Sequence, residues 1–382
     1  MLESQAEIVD GVKLVVQGVL KKYGREYFLQ KTREQVDTPE LWSELGSQGL
    51  LGIGLPEEYG GSGKDMIASV AFVEAMSEGG VAPVAILANS FTRNAIFEVG
   101  TDEQRKYYLP GTVTGEQRFA FALTEPDAGT NSFNIRTTAT READGSYTLR
   151  GQKTYTSHLD YADAVVVVAK LQGVDARSDM GLFIVDLPAE GLSSQAMKIN
   201  LFTPDHRFNM YLDTVKVPAN RRLGVDGQGK KILFSALNPE RLLIAAMCIG
   251  LGNHALQKAV AYSNVRAPFG SPIGSYQGVS HPLARAKVHL DAARALVYNG
   301  AQMFEAGMDV AAIASSAKLM AAEAADEAID ACIQAFGGAA FDEDSDVSTL
   351  WPIIRLQRIA PINDQMVLNF IAERVLGLPR SY

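Results

Sequence analysis

A chain of 382 residues that is 47% hydrophobic and 21% charged has ordinary soluble composition and enough apolar material for two or three packed lobes. Its net charge of -9 and pI near 5.2 argue against a nucleic-acid or anionic-membrane surface, while leaving room for a local basic patch facing a phosphorylated ligand. No window reaches the roughly 18 consecutive apolar residues of a membrane span.

The N-terminus, MLESQAEIVDGVKLVVQGVLKKYG, places acids ahead of its apolar positions and has no unbroken apolar core, so it reads as an amphipathic helix and not as a signal peptide. LWSELGSQGLLGIGL, MIASVAFVEAMSEGG and ILANSFTRNAIFEVGT come next with apolar residues three and four apart, predicting an all-α lobe over residues 1–117. The period then changes. RFAFALTE, SFNIRTTATREADGSYTLRGQKTYT, DAVVVVAKL, MGLFIVDL and RFNMYLDTVKV alternate or run in short β-branched segments, predicting a small β-sheet or barrel lobe over 118–225. EADGSY within it is an Asp-Gly hairpin signal. From 226 to 382 the helical period returns in long segments with Ala-rich faces, which fit an antiparallel four-helix bundle. The fold class is therefore α+β in the order α, β, bundle. Cys248 and Cys332 both lie in apolar helical patterns, as buried free thiols of a reducing cytoplasm would.

Several motifs fail on inspection. GGSGK at 60–64 has Glu58 where a P-loop needs glycine and Asp65 where it needs Ser or Thr. GQGKKI at 227–232 lacks the third small residue of a dinucleotide fingerprint. His158, His206, His254, His281 and His289 show no ligand pairing, so a metal site is not expected. LNPERLLIAA raises a different question. Asn238 and Pro239 are a good helix start, and Glu240 then reads as a first-turn acid facing the positive end of the helix dipole.

Five segments in order resemble one family, the flavin-dependent acyl-CoA dehydrogenases: LWSELGSQGLLGIGLPEEYGGSG, FALTEPDAGTNS, GQKTYTS, RAPFGSPIGSYQ and QAFGG. The resemblance covers nearly the whole chain and implies FAD as cofactor. It puts the backbone at Leu123 and the hydroxyl of Thr124 on the flavin's pyrimidine edge, Tyr155 beside the ring and Ser157 at N5. Thr130 falls near the acyl-CoA carbonyl and pantetheine. Arg266, Phe269 and Gln277 match a segment reaching the FAD of a neighbouring subunit, and Gln334, Gly337 and Gly338 match a second such contact. Asn363 and Gln365 fall at further FAD-contacting positions. The likeness further implies a homo-oligomer, a tetramer made as a dimer of dimers, working in cytoplasmic fatty-acid metabolism with an electron-transfer flavoprotein as electron acceptor.

The family's reaction needs a base for the α-proton. Counted without a gap from Phe336, the position at which many members carry that carboxylate is Pro361, which can neither accept a proton nor donate an N–H to the thioester carbonyl. Losing one such donor costs roughly 3 kcal/mol in an oxyanion hole. Members resembling isovaleryl- and long-chain acyl-CoA dehydrogenases instead place the carboxylate on a bundle helix immediately before an Arg, and Glu240 stands there, with Arg241 expected near substrate or CoA. Glu240, Leu243, Ile244 and Met247 share a helical face, so the acid is expected to meet an apolar space. Asp364 is the fallback base. The leading expectation is α,β-dehydrogenation of an acyl-CoA thioester to trans-2-enoyl-CoA. An acyl-CoA oxidase, a flavin monooxygenase of the same fold and a non-catalytic acyl-CoA-binding partner subunit are the alternatives.

Overall fold

Apolar residues at helical spacing make α1 (Glu3–Tyr23) amphipathic, with Val9, Val16 and Val19 buried. The computed structural model describes residues 3–63, 65–172, 180–225 and 227–380. Among them, five more helices complete the first lobe: α2 (Arg25–Glu34), α3 (Pro39–Ser47), α4 (Met66–Glu78), α5 (Val84–Val99) and α6 (Asp102–Thr114). Local chemistry starts several of these. Asp65 accepts a hydrogen bond from the Ala68 N–H at 2.7 Å ahead of α4, and Thr101 and Gln104 form a reciprocal capping box at α6. The expected boundary between the second and third lobes abuts residue 226, which lies outside the described residues.

The described residues of the second lobe form eight strands: β1 (Phe119–Ala122), β2 (Thr138–Arg141), β3 (Tyr147–Ser157), β4 (Ala164–Leu171), β5 (Met180–Asp186), β6 (Leu192–Ala196), β7 (Arg207–Val217) and β8 (Arg222–Leu223). They make one sheet in the order β6-β7-β3-β2-β4-β5-β8, with β1 parallel to β4. β4 is apolar without alternation because both its faces are covered. Val166 and Val168 pack with Ile96, Tyr108 and Leu109 of the first lobe, while Val165 and Val167 pack with Leu149, Phe183 and Met210 inside the sheet's own fold. The Asp-Gly hairpin joins β2 to β3 as expected, with Gly145 at φ 87°. β3 shifts register against β7 between Lys153 and Thr156, and this irregularity re-aims the side chains at its end.

The third lobe contains α7 (Gly229–Val265), α8 (Gln277–Glu305), α9 (Ala311–Phe336), α10 (Val347–Leu356) and α11 (Asp364–Phe370). Three long helices carry the bundle, and the short α10 and α11 both pack on α9 as its fourth member. Their small faces permit close approach: a Cβ at Gly250 would stand 2.4 Å from the Glu74 carbonyl oxygen of α4. Cys248 and Cys332 are buried free thiols. Among the described residues no helix is long and apolar enough to cross a membrane.

One expectation about local structure is overturned. No helix starts at Asn238-Pro239; α7 runs through both, and Asn238 caps nothing. A proline inside a helix forfeits one backbone hydrogen bond. Burial on both sides of it, at Ile232 and Leu233 before and at Leu242, Ala245 and Ala246 after, outweighs that loss.

Candidate active site

The end of β3 and the turn after β1 lie side by side, since the Thr154 N–H donates to the Thr124 carbonyl at 2.9 Å. A buried ion pair holds this junction. Lys153 Nζ donates to Glu125 Oε1 at 2.8 Å and to the Leu123 carbonyl at 2.9 Å, and the backbone N–H groups of Arg136 and Thr137 donate to the same Glu125 carboxylate. Burial alone lowers the Lys153 pKa, to about 8, although Glu125 opposes that shift. With its carbonyl held from inside, the Leu123–Thr124 segment is a rigid edge. The Thr124 and Ser157 hydroxyls make no hydrogen bond among the described residues, so both are available to a ligand. Tyr155 stands 59% exposed at φ 57°, a left-handed conformation that a tyrosine adopts only under constraint. Free hydroxyls beside an exposed, fixed aromatic ring suit the polar edge and the face of a flavin.

Arg266, Phe269 and Gln277 project from the connection between α7 and α8 and the start of α8, all exposed, with Phe269 84% accessible. Gln334, Gly337 and Gly338 lie at the exposed end of α9. Gly337 takes φ 61°, and a Cβ added at either glycine would meet only open space. Both groups therefore lie on the surface, where another subunit could meet them. Thr130 and Asn363 come from different lobes and touch: Asn363 Nδ2 donates to Thr130 Oγ1 at 2.9 Å, while its Oδ1 caps α11 at Met366. Gln365 is exposed in the first turn of α11.

Glu240 lies well past the first turn of α7, so the dipole that would make it a capping acid is out of reach. Its carboxylate is half-buried, and among the described residues it has neither a hydrogen bond nor an ion pair. Leu243, Ile244 and Met247 on its helical face are buried, as expected. Burial pushes the Glu240 pKa up to about 7, with Arg241 opposing. Arg241 is itself buried, and its Nη1 donates to Asn238 Oδ1 and to Ser315 Oγ of α9, each at 3.1 Å. Asp364, the fallback base, is already committed: Arg358 Nε donates to it at 2.7 Å and Lys318 Nζ stands 3.6 Å away. Pro361 lies in the connection between α10 and α11, where Lys318 Nζ donates to the Ile362 carbonyl at 2.7 Å.

Sequence reasoning missed Lys153 with Glu125, Ser315 and Lys318. A lysine inside a buried strand and another in an Ala-rich helix were visible signals; their partners were not.

The chain matches known proteins along nearly its whole length. Models of the acyl-CoA dehydrogenase N-terminal, middle and C-terminal domains match residues 2–116, 120–209 and 227–376. The chain is 39% identical to acyl-CoA dehydrogenase FadE12 of Mycobacterium tuberculosis over 383 residues, covering 99% of this chain and 98% of that protein. It is 32% identical over 331 residues to a subunit of the caffeyl-CoA reductase-Etf complex of Acetobacterium woodii, covering 85% and 86%. The structure of butyryl-CoA dehydrogenase from Megasphaera elsdenii superimposes with a TM-score of 0.91 at 28% identity, covering 98% of this chain and 99% of that one. The chain belongs to the acyl-CoA dehydrogenase family and is an FAD-dependent oxidoreductase.

Proposed function

We propose that this protein converts a saturated acyl-CoA thioester to its trans-2-enoyl-CoA, with Glu240 as the base for the α-proton. One observation carries the assignment: a half-buried carboxylate beside an arginine that makes no ion pair with it, with its pKa raised to about 7. Weak hydration and the absence of a partner among the described residues leave its oxygens basic and open to a substrate proton. When bound, the flavin supplies the hydride acceptor for the β-carbon. Leu123, Thr124, Tyr155 and Ser157 would hold it, and a neighbouring copy's Arg266, Phe269, Gln277, Gln334, Gly337 and Gly338 would reach it, which supports a tetramer built as a dimer of dimers. Asn363 and Gln365 complete the cofactor contacts, and Thr130 lies on the thioester side. With Pro361 unable to donate, the thioester carbonyl needs another donor.

The family relationship supports cytoplasmic fatty-acid metabolism as the setting. The relative named as part of a reductase-Etf complex supports an electron-transfer flavoprotein as redox partner. It also recommends a second reading, reduction of an enoyl thioester, in which a protonated Glu240 returns the α-proton by the same path.

The test mixes purified flavoprotein anaerobically with saturated thioesters of several chain lengths, and with their enoyl counterparts after chemical reduction. Bleaching of the flavin by a saturated thioester, with slow recovery in oxygen afterwards, is the expected result. Fast recovery would identify an oxidase, and bleaching by no thioester would remove the dehydrogenase reading.

A further inference from the structure

Glu240 and Arg241 are neighbours of opposite charge on one helix, yet they do not pair. The arginine is occupied elsewhere. Its Nη1 donates one turn back along α7 to Asn238 Oδ1 and across the bundle to Ser315 Oγ, each at 3.1 Å, and Ser315 is in turn fixed by donating to the Ala311 carbonyl at 2.7 Å. Consecutive helical residues point about 100° apart, so a guanidinium anchored on α9 is directed away from the face that carries Glu240.

We propose that Ser315 and Asn238 are positioning residues that hold the Arg241 charge off Glu240, so that the carboxylate stays unpaired. The inference rests on the reading of Glu240 as base. Few other charges intrude. Among the described residues, Arg241 on α7 is the one charged group that acts appreciably on Glu240, and it draws its proton affinity down. Lys318 of α9, one turn beyond Ser315, is a second buried cation near Arg241, and Asp364 of α11, gripped by Arg358, offsets it. The Cys248 thiol of α7, pushed up to about 12 by burial, is neutral. A released guanidinium would be free to turn toward the unpaired Glu240 carboxylate on the adjoining residue, with which it already interacts through charge.

The experiment measures, in the flavin-loaded enzyme, the pH dependence of single-turnover bleaching by a saturated thioester for wild type, N238A/S315A, S315T and E240Q. In parallel, infrared titration tracks the protonated-carboxyl band that E240Q lacks, which needs no turnover. The expected result is that in N238A/S315A both midpoints move to lower pH by about one unit, a tenfold loss of proton affinity. S315T, which keeps the acceptor, stays at the wild-type midpoint. Should the double variant fail to fold, S315A alone shows a smaller shift in the same direction. An unmoved infrared midpoint in these variants overturns the inference. Bleaching by E240Q at the wild-type rate instead removes Glu240 as base, a separate failure that the infrared titration does not share.

Discussion

Two glutamates sit on packed helices of this molecule, and their surroundings are opposite. Glu74 of α4 is 2% exposed and saturated: Arg294 Nε and the Tyr298 hydroxyl each donate to it at 2.7 Å, and Lys13 Nζ lies 3.5 Å away. It ties α4 to α8 and to α1. Glu240 of α7 is half-buried and bonded to nothing among the described residues. Burial alone does not distinguish a structural acid from a reactive one; the count of partners does. Hydrogen bonds offset the desolvation of a satisfied carboxylate, whereas an unsatisfied one is relieved by taking up a proton, from solvent at low pH or from a substrate.

The sharpest way to break this comparison is to neutralise each acid in turn. Glu240→Gln should slow flavin bleaching by a saturated thioester on the order of 10³-fold, the usual worth of a positioned general base, while flavin content stays normal. Glu74→Gln should instead destabilise the fold by about 3–5 kcal/mol, because Arg294 is left partly buried without its counter-charge, and denaturant titration would read the loss. Equal effects of both changes on bleaching rate, at equal folded fraction, would erase the distinction.

Stability should respond with opposite signs. The Glu240 carboxyl titrates near 4.5 in the unfolded chain and near 7 when folded. Between those values the unfolded chain releases a proton that the folded protein retains, so this group's contribution to stability is greatest at low pH and declines as pH rises through about 7. Glu240→Gln should therefore gain about 1–3 kcal/mol over wild type above pH 7 and nothing near pH 4, as thermal midpoints across that range would show. The smallest effect on the bleaching reaction concerns the β lobe. Lys153→Met should loosen flavin retention several-fold without moving the acid limb of the bleaching reaction, because its partner Glu125 fixes the cofactor edge and not the base.

Much of this was legible in the sequence, for reasons that differ by region. The α, β, bundle order comes from a change of hydrophobic period from 3.6 to 2 and back, and β4 read as a strand because a short β-branched run has few other uses. At LNPERLLIAA local chemistry misled: Asn-Pro-Glu is a sound helix start, yet apolar burial on both sides carries α7 through it. The correction strengthens the reading of Glu240, since an acid deep in a helix gains nothing from the dipole. The partners of Arg241, Glu125 and Asp364 were not legible, because Ser315 stands 74 residues from Arg241 and Lys153 stands 28 from Glu125. Only the folded chain brings them together.

The most direct test of the central claim, that Glu240 is an unpaired carboxylate poised to take the α-proton, is the anaerobic single-turnover bleaching rate of wild type and Glu240→Gln measured from about pH 5 to about pH 9. The wild-type rate should rise with pH through a midpoint near 7, and the variant should lack both the rate and the limb. A wild-type rate that is flat through pH 7, or a variant that bleaches as fast as wild type, would contradict the account.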